Sequence, residues 1–174
     1  MFKDFDISSF KKMKPPGDNS FDTDQEIKAL KKIPLRKEFV KKYDDIEAAF
    51  KKTAKEQNIK DYDKNIAAKL IKESAPVILE LKKYHNRKRP YDLDKNLKAV
   101  KMKSMNTPSY PSGHSAQAML IASVLKDKYG KDSAFMQTAK NISDSRNMAR
   151  AHYKSDSVNG IKLGKQLYKH IKKT

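Results

Sequence analysis

The chain has 174 residues, a length that suits one compact domain with a single core. Its 39 basic residues outnumber the 21 acidic ones, and the net charge of +18 fits anionic partners such as phosphorylated metabolites, nucleic acid or acidic lipid surfaces; a lysine-rich surface that serves solubility fits it equally well. The absence of cysteine excludes disulfide bonds and thiolate metal sites. No stretch is apolar for long enough to span a bilayer, so the sequence predicts a soluble protein.

The N-terminal residues 1–20 mix lysines with acids and lack the apolar centre of a secretory signal. We therefore expect an intracellular protein, while a mature form whose signal has been removed stays open. The sequence does not indicate an oligomeric state or a source compartment.

Residues 1–22 are polar and turn-forming around KPPGDNS, which predicts an extended N-terminal arm. A helical domain is expected to follow over residues 23–174. Its first helix can be capped by Thr23 or Asp24 and should end just before Pro34.

A second helix is predicted over residues 35–57, because apolar residues recur there at helical spacing. These residues are Leu35, Phe39, Tyr43, Ile46 and Phe50. A third helix is expected to begin at Asp61 or Asp63, to be kinked by Pro76 and to end near Pro90.

Residues 91–111 form a polar connection with one helical turn at most. Residues 112–129 predict a helix that is apolar nearly all round, and such a helix is central and buried. Two more helices are expected over residues 132–149 and from Ser155 onward. Because no strand pattern competes, the sequence predicts an all-α, single-domain bundle of about six helices.

The stretch SYPSGH precedes the apolar helix and has the features of an anion site. Ser112 follows Pro111 at the expected N-cap, so the amides of Gly113 and His114 belong to the unpaired donors of the first turn. A helix start attracts anions through these amides and its dipole, and Gly113 lets a ligand come close. His114 at the rim could donate a proton. Taken alone, the stretch also fits an ordinary capped helix with an exposed histidine.

A basic run, KKYHNRKRP, ends the third predicted helix. Lys82 and Arg89 are seven residues apart, so they can project from one helix face, and Pro90 limits where Arg89 points. Two such cations could hold the same phosphate. Because Arg87 and Lys88 lie in the same run, a solvated basic patch is the simpler interpretation of this segment alone.

The segment SRNMARAHYKSD contains a third group of candidates. Asp156 lies four residues after His152 and can hold one imidazole nitrogen, which leaves the other free as base or nucleophile. Arg146 lies six residues before His152, and a continuous helix would put the two on nearly opposite sides. If both contact one ligand, the helix must break around residues 149–152. An arginine-rich helix surface is the alternative.

Taken together, the three segments resemble the three-part signature of the type 2 phosphatidic acid phosphatase superfamily. The matching segments are Lys82-x6-Arg89-Pro90, Pro111-Ser112-Gly113-His114 and Ser145-Arg146-x5-His152-x3-Asp156. The sequence SYPSGH is most similar to the corresponding sequence of the soluble bacterial class A nonspecific acid phosphatases. The resemblance covers residues 82–156, and the chain before it shows no match.

This resemblance implies the helical bundle of vanadium haloperoxidases and acid phosphatases, and metal-independent hydrolysis of phosphomonoesters through a phosphohistidine. His152 would be the nucleophile, Asp156 would orient it, and His114 would protonate the leaving oxygen. The residues implied to bind phosphate are Lys82, Arg89, Ser112, Gly113 and Arg146. No cofactor is implied, and vanadate would act as an inhibitor that mimics phosphate.

Other functions fit part of the same pattern. A vanadium-dependent haloperoxidase-like enzyme would use the same residues, because vanadate has the shape and charge of phosphate. A basic nucleic-acid- or anion-binding protein fits the charge, but aromatic–basic interleaving, a zinc-finger pattern and a heptad zipper are all missing from the sequence. An inactive phosphate-binding module is disfavoured because every signature position is filled. The expected partner is a small phosphorylated substrate, with a lipid phosphate at a membrane surface as a variant of it.

Overall fold

A computed structural model describes residues 1–173, with residue 132 described by its backbone alone. This part of the chain is 66% helical and contains no strand, which confirms the predicted all-α class. Eight of its α-helices have five residues or more, and a ninth is a single turn. They are α1 (Ser8–Lys12), α2 (Phe21–Lys31), α3 (Lys37–Lys42), α4 (Ile46–Glu56), α5 (Asn65–His85), α6 (Pro90–Leu93), α7 (Gly113–Tyr129), α8 (Asp132–Met148) and α9 (Lys154–Lys173). A 3-10 turn covers Lys103–Met105.

Helix α7 lies at the centre of the bundle, as its apolar sequence predicts. It packs most extensively against α8 and α9 and also contacts α5. Leu120, Ile121 and Leu125 are fully buried in the core. Among the described residues, no helix is both long and apolar enough to cross a membrane.

Helix α9 approaches the beginning of α7 very closely because α9 carries glycine there. A Cβ atom on Gly160 would lie 2.5 Å from the carbonyl oxygen of Ser112 and 3.0 Å from the Cβ of Ser115. This close packing lets the amide of Ser112 donate to the carbonyl oxygen of Asp156 at 3.0 Å. The start of α7 and the start of α9 are thereby joined at one end of the bundle.

The number of helices exceeds the prediction because the N-terminal segment forms α1, the second predicted helix is divided into α3 and α4, and the short helix α6 follows α5. The helix expected over residues 35–57 is wrong as a single element: α3 ends at Lys42, and Asp45 caps the new helix α4 by accepting from the amide of Ala48 at 3.0 Å. The third predicted helix is also shorter than expected. It ends at His85, because Asn86 adopts a left-handed conformation with φ of 45°.

The N-terminal segment, expected as an extended arm, contains α1 and packs onto the bundle. Phe2 and Phe10 are buried in the same core as α7. Helix α2 begins earlier than predicted, and Ser20 rather than Thr23 or Asp24 caps it, by accepting from the amide of Thr23.

Candidate active site

The expected break between Arg146 and His152 is present and is confirmed by the structure. Helix α8 ends at Met148, and Arg150 adopts a left-handed φ of 58° before α9 begins at Lys154. This break turns His152 toward the start of α9, where Asp156 lies in the first turn.

His152 is held at both ring nitrogens. Its Nδ1 lies 3.3 Å from Oδ2 of Asp156, and its Nε2 lies 3.2 Å from an NH1 atom of Arg89. Because a guanidinium group only donates hydrogen bonds, Nε2 carries the lone pair and Nδ1 carries the proton. The imidazole is 3% exposed. Burial, followed by the positive charges of Arg89 and Lys82, lowers the pKa of His152 to about 3, so the ring is neutral at pH 7.

Asp156 is fully buried and still ionised. Burial opposes its ionisation, but the hydrogen bond from His152 and the charge of Arg87 outweigh it and lower the pKa of the carboxyl. Arg87 donates to Oδ1 at 2.8 Å, and the amide of Tyr153 donates to Oδ2 at 3.0 Å. The hydroxyl of Ser109 also donates to Oδ2. The carboxylate is thus fixed from several directions.

The three predicted phosphate-binding cations are buried, with exposures of 5% for Lys82, 3% for Arg89 and 1% for Arg146. Burial, and then the charge of Arg89, lowers the pKa of Lys82 to about 7. Arg146 lies close enough to Arg89 to lower the pKa of its guanidinium as well, after the larger effect of burial. The three cations therefore form one electrostatically coupled cluster.

Lys82 and Arg89 reach this cluster by a different route from the one expected. The prediction that they share one helix face is wrong, because α5 ends at His85 and Arg89 is the N-cap of α6. The left-handed conformation of Asn86 ends α5 between them, so Arg89 reaches the cluster from the segment that follows the helix.

The start of α7 lies beside the cations. Ser112 is the N-cap, as predicted, and its hydroxyl accepts from the amide of Ser115 at 3.3 Å. Gly113 is the first residue of the helix, and a Cβ atom there would lie 3.8 Å from Cε of Lys82. Ordinary van der Waals distances of this kind show that Gly113 faces the stem of Lys82.

His114 is partly exposed and contacts Asp44, which also bonds to Arg146. Its Nε2 lies 3.0 Å from the carbonyl oxygen of Asp44, and a carbonyl only accepts, so Nε2 carries a proton. Burial and then the charge of Arg146 lower the pKa of His114 to about 4, although Asp44 opposes this shift. In the free protein His114 is therefore neutral at pH 7.

All eight residues predicted for the site are joined by these contacts. His152 connects Asp156 to Arg89, the Ser112 amide connects α7 to Asp156, and Arg146 and His114 share Asp44. Gly113 adjoins Lys82.

Residues 102–108, which include the 3-10 turn, contact all three cations of the cluster. Lys82 donates to the carbonyl oxygen of Pro108 at 2.5 Å, and Arg89 donates to that of Thr107 at 2.9 Å. NH1 of Arg146 contacts the sulfur of Met102 at 3.2 Å. Each cation thus directs donors toward this segment.

Arg146 retains one donor without a partner. NH1 bonds to Oδ1 of Asp44 at 2.9 Å, and Nε bonds to the hydroxyl of Ser145 at 3.1 Å. NH2 is buried and has no hydrogen-bond partner among the described residues. A buried donor without a partner is unfavourable, and a bound anion would satisfy it.

Three residues of the cluster were missed from the sequence. Arg87 was assigned to a solvated patch, but it is 2% exposed and bonds to Asp156. Ser109 lies inside the quoted stretch SYPSGH, yet no rule of spacing points to its contact with Asp156. Asp44 lies 102 residues before Arg146, and only the break between α3 and α4 could have drawn attention to it.

Among the described residues, no group of three or more histidine and acidic side chains is arranged to hold a metal ion. A scan against models of known protein families matches none of them. A search of curated proteins likewise finds no significant match.

Proposed function

We propose that the protein hydrolyses phosphomonoesters without a metal ion, through a phosphohistidine formed on His152. The observation that carries the proposal is a buried neutral histidine, bonded to Asp156 at one nitrogen and facing buried cations at the other. In this proposal the helices adopt the arrangement of the acid phosphatases that the signature resembles.

The tautomer of His152 supports its role as nucleophile. The lone pair on Nε2 points toward Arg89, which is one of the groups proposed to hold the phosphate. Asp156 would keep Nδ1 protonated and would stabilise the positive charge that the ring acquires when Nε2 bonds to phosphorus. A neutral ring at pH 7 is the form that can attack.

The cations support the binding of a phosphate dianion. Phosphoryl transfer requires mainly positioning and charge neutralisation, which three buried cations and a helix N-terminus supply. Oxygens of the phosphate would accept the donors that Lys82 and Arg89 now direct to carbonyl oxygens of residues 107 and 108, and the unpaired NH2 of Arg146.

The reaction would proceed in two steps. Nε2 of His152 attacks phosphorus, the bond to the leaving oxygen breaks, and that oxygen keeps the electron pair and takes a proton from His114. A water molecule then attacks the phosphohistidine, gives a proton to His114 and releases inorganic phosphate with His152 neutral again. Since the dianion would raise the low pKa of His114, substrate binding itself would supply the proton donor with its proton.

The proposal is tested with p-nitrophenyl phosphate in excess chelator. We expect turnover without added metal and competitive inhibition by vanadate. As a matched pair, His152→Gln should lose turnover, whereas His170→Gln, at the far end of α9, should retain it. Activity that requires a divalent ion, or that vanadate does not affect, would refute the proposal.

A further inference from the structure

Arg87 occupies the space behind the proposed nucleophile. It lies between α5 and α6, and its NH1 donates to Oδ1 of Asp156 and to the hydroxyl of Ser155, both at 2.8 Å. Its guanidinium also stacks on the ring of Tyr153, with 3.7 Å between its central carbon and the ring centroid. These contacts fix the direction of the guanidinium in the core.

The two oxygens of Asp156 have different partners. Oδ2 accepts from the amide of Tyr153, from Ser109 and from Nδ1 of His152, whereas Oδ1 accepts from Arg87. Among the described residues, Arg87 is the lysine or arginine that forms an ion pair with Asp156. The charge of this buried carboxylate is therefore balanced chiefly by Arg87.

We propose that Arg87 is a positioning residue for phosphoryl transfer: it keeps the Asp156 carboxylate charged and oriented, and so keeps the proton of His152 on Nδ1. The inference rests on the proposed role of His152 as nucleophile. Arg87 itself does not touch the substrate, since Asp156 and His152 lie between them.

The chemistry behind this role is the cost of an unpaired buried charge. Without Arg87, the buried carboxylate would take up a proton rather than remain charged. The resulting carboxyl group would donate to Nδ1, and the proton of the imidazole would move to Nε2. Nε2 would then have no lone pair with which to attack phosphorus.

Other charged and titratable groups also act on Asp156, and none replaces Arg87. Those that face it are His152, Lys82, Arg89, Tyr110 and Tyr153. Lys82 and Arg89 direct their donors to residues 102–108 instead. Their charges would, moreover, be neutralised by a bound phosphate, so Arg87 is the cation that stays available to Asp156 during the reaction.

A structural role must be separated from this one, because Arg87 also connects α2 to α9. Its NH2 donates to Oε2 of Glu26 at 3.0 Å, and Glu26 accepts from both the amide and the hydroxyl of Ser155 at 2.7 Å. Glu26→Ala removes the charged part of this tether, leaving the 3.3 Å bond from NH2 of Arg87 to the hydroxyl of Thr23, and it keeps the bond between Arg87 and Asp156. It is therefore the variant that distinguishes tethering from positioning.

The experiment compares Arg87→Met, Arg87→Lys and Glu26→Ala with Lys88→Met, an exposed neighbour that serves as the control. Turnover of p-nitrophenyl phosphate gives kcat and KM, and vanadate titration gives the affinity for an oxyanion. Nitrogen-15 NMR of histidine-labelled protein, with the signal assigned by His152→Gln, reports which nitrogen of His152 carries the proton.

For Arg87→Met we expect kcat to fall by about 10- to 100-fold, the usual effect of removing a residue that holds a catalytic side chain in place without touching the substrate. KM and the affinity for vanadate should stay within about threefold of the wild-type values, because Arg87 does not contact the bound substrate or the oxyanion. Nε2 of His152 should become protonated. Arg87→Lys retains a cation and should preserve the wild-type tautomer, and Glu26→Ala and Lys88→Met should preserve both the tautomer and kcat.

An unprotonated Nε2 in Arg87→Met would overturn the inference, even if kcat fell. If Arg87→Met does not fold, Glu26→Ala decides, because it keeps the bond between Arg87 and Asp156. A fall in its kcat of about 10-fold or more with Nε2 of His152 still unprotonated would show that Arg87 acts as a tether. Absence of turnover in the wild type would refute the proposed function instead, and the NMR measurement would still decide the role of Arg87.

Discussion

Replacing Lys82 by methionine should stabilise the free protein while it destroys the anion site. The pKa of Lys82 falls from 10.5 to about 7, chiefly through burial. A shift of that size disfavours the charged form by about 5 kcal/mol. Methionine cannot donate to the carbonyl oxygen of Pro108, and the loss of that hydrogen bond reduces the expected gain in stability by about 1 kcal/mol. With Lys82 half protonated at pH 7, we expect Lys82→Met to raise the free energy of unfolding by about 3 kcal/mol, or Tm by roughly 6–12 °C.

The effect should depend on pH in a defined direction. The pKa of Lys82 is lower in the folded protein than in the unfolded chain, so the penalty is full below about pH 7. It should shrink as the pH rises from about 7 to 10.5, where the lysine becomes neutral in both states. The stability difference between variant and wild type should shrink over the same interval.

The assay is urea and thermal unfolding with and without vanadate. Lys83→Met is the matched control, because Lys83 is the exposed neighbour on the same helix and should leave stability and vanadate binding unchanged. At vanadate concentrations of 100 times Kd, the wild type should gain about 2.7 kcal/mol, whereas Lys82→Met should gain far less. If Lys82→Met instead lowered Tm without anion, the buried ammonium would be compensated within the protein, and the reasoning would fail.

Three further predictions concern the proposed reaction and its surroundings. His152→Ala should form no acid-labile phosphoenzyme in rapid-quench labelling, and label that persisted would assign the nucleophile elsewhere. His114→Ala should lose far more activity on an alkyl phosphate than on p-nitrophenyl phosphate, since a poor leaving group needs the proton most; equal losses would contradict its role as proton donor. Asp44→Asn should bind vanadate more tightly, by up to about fivefold for a half-exposed ion pair, because Asp44 Oδ1 now occupies NH1 of Arg146. Unchanged or weaker binding in a vanadate titration would show that Asp44 does not compete with the anion.

The parts of the fold that follow from local chemistry were predictable from the sequence. The apolar sequence of residues 112–129 predicted a central helix, and Ser112 caps it as expected. The break after Arg146 was predictable for a different reason: a requirement that Arg146 and His152 face one ligand is incompatible with a continuous helix. The first prediction follows from a local rule, whereas the second follows from the assumption of a shared ligand.

Elements that depend on competition between local signals were not predicted correctly. The apolar periodicity continues through residues 35–57, but Asp45 can cap a new helix, and the chain breaks there. At the end of α5, Pro90 is a strong stop signal, yet Asn86 ends the helix four residues earlier by adopting a left-handed conformation. Periodicity alone does not reveal which of two possible ends a helix takes.

The partners of the site residues were not predictable because they are distant in sequence. Arg87 bonds to Asp156 and Glu26, which lie 69 and 61 residues away, and Asp44 reaches Arg146 across 102 residues. Spacing rules relate neighbours on one helix, and they carry no information about such contacts. The run HNRKRP, residues 85–90, therefore could not be divided from sequence into a buried Arg87 and an exposed Lys88.

The imbalance of charge in the core is an argument for an anion that does not depend on any resemblance. Lys82, Arg89 and Arg146 are buried together, and the fully buried carboxylate among the described residues, Asp156, is already paired with Arg87. Among the described residues, Arg146 is paired with Asp44, which is half-exposed. Burying cations that are not fully compensated destabilises a protein, so a core selected for stability alone would not contain three of them. The unfavourable free energy of burying these cations is offset when an oxyanion binds, because the same desolvation that lowers the pKa of Lys82 strengthens its attraction to phosphate. Stability of the free protein and affinity for the oxyanion should therefore change in opposite directions when Lys82 or Arg89 is replaced by an uncharged residue.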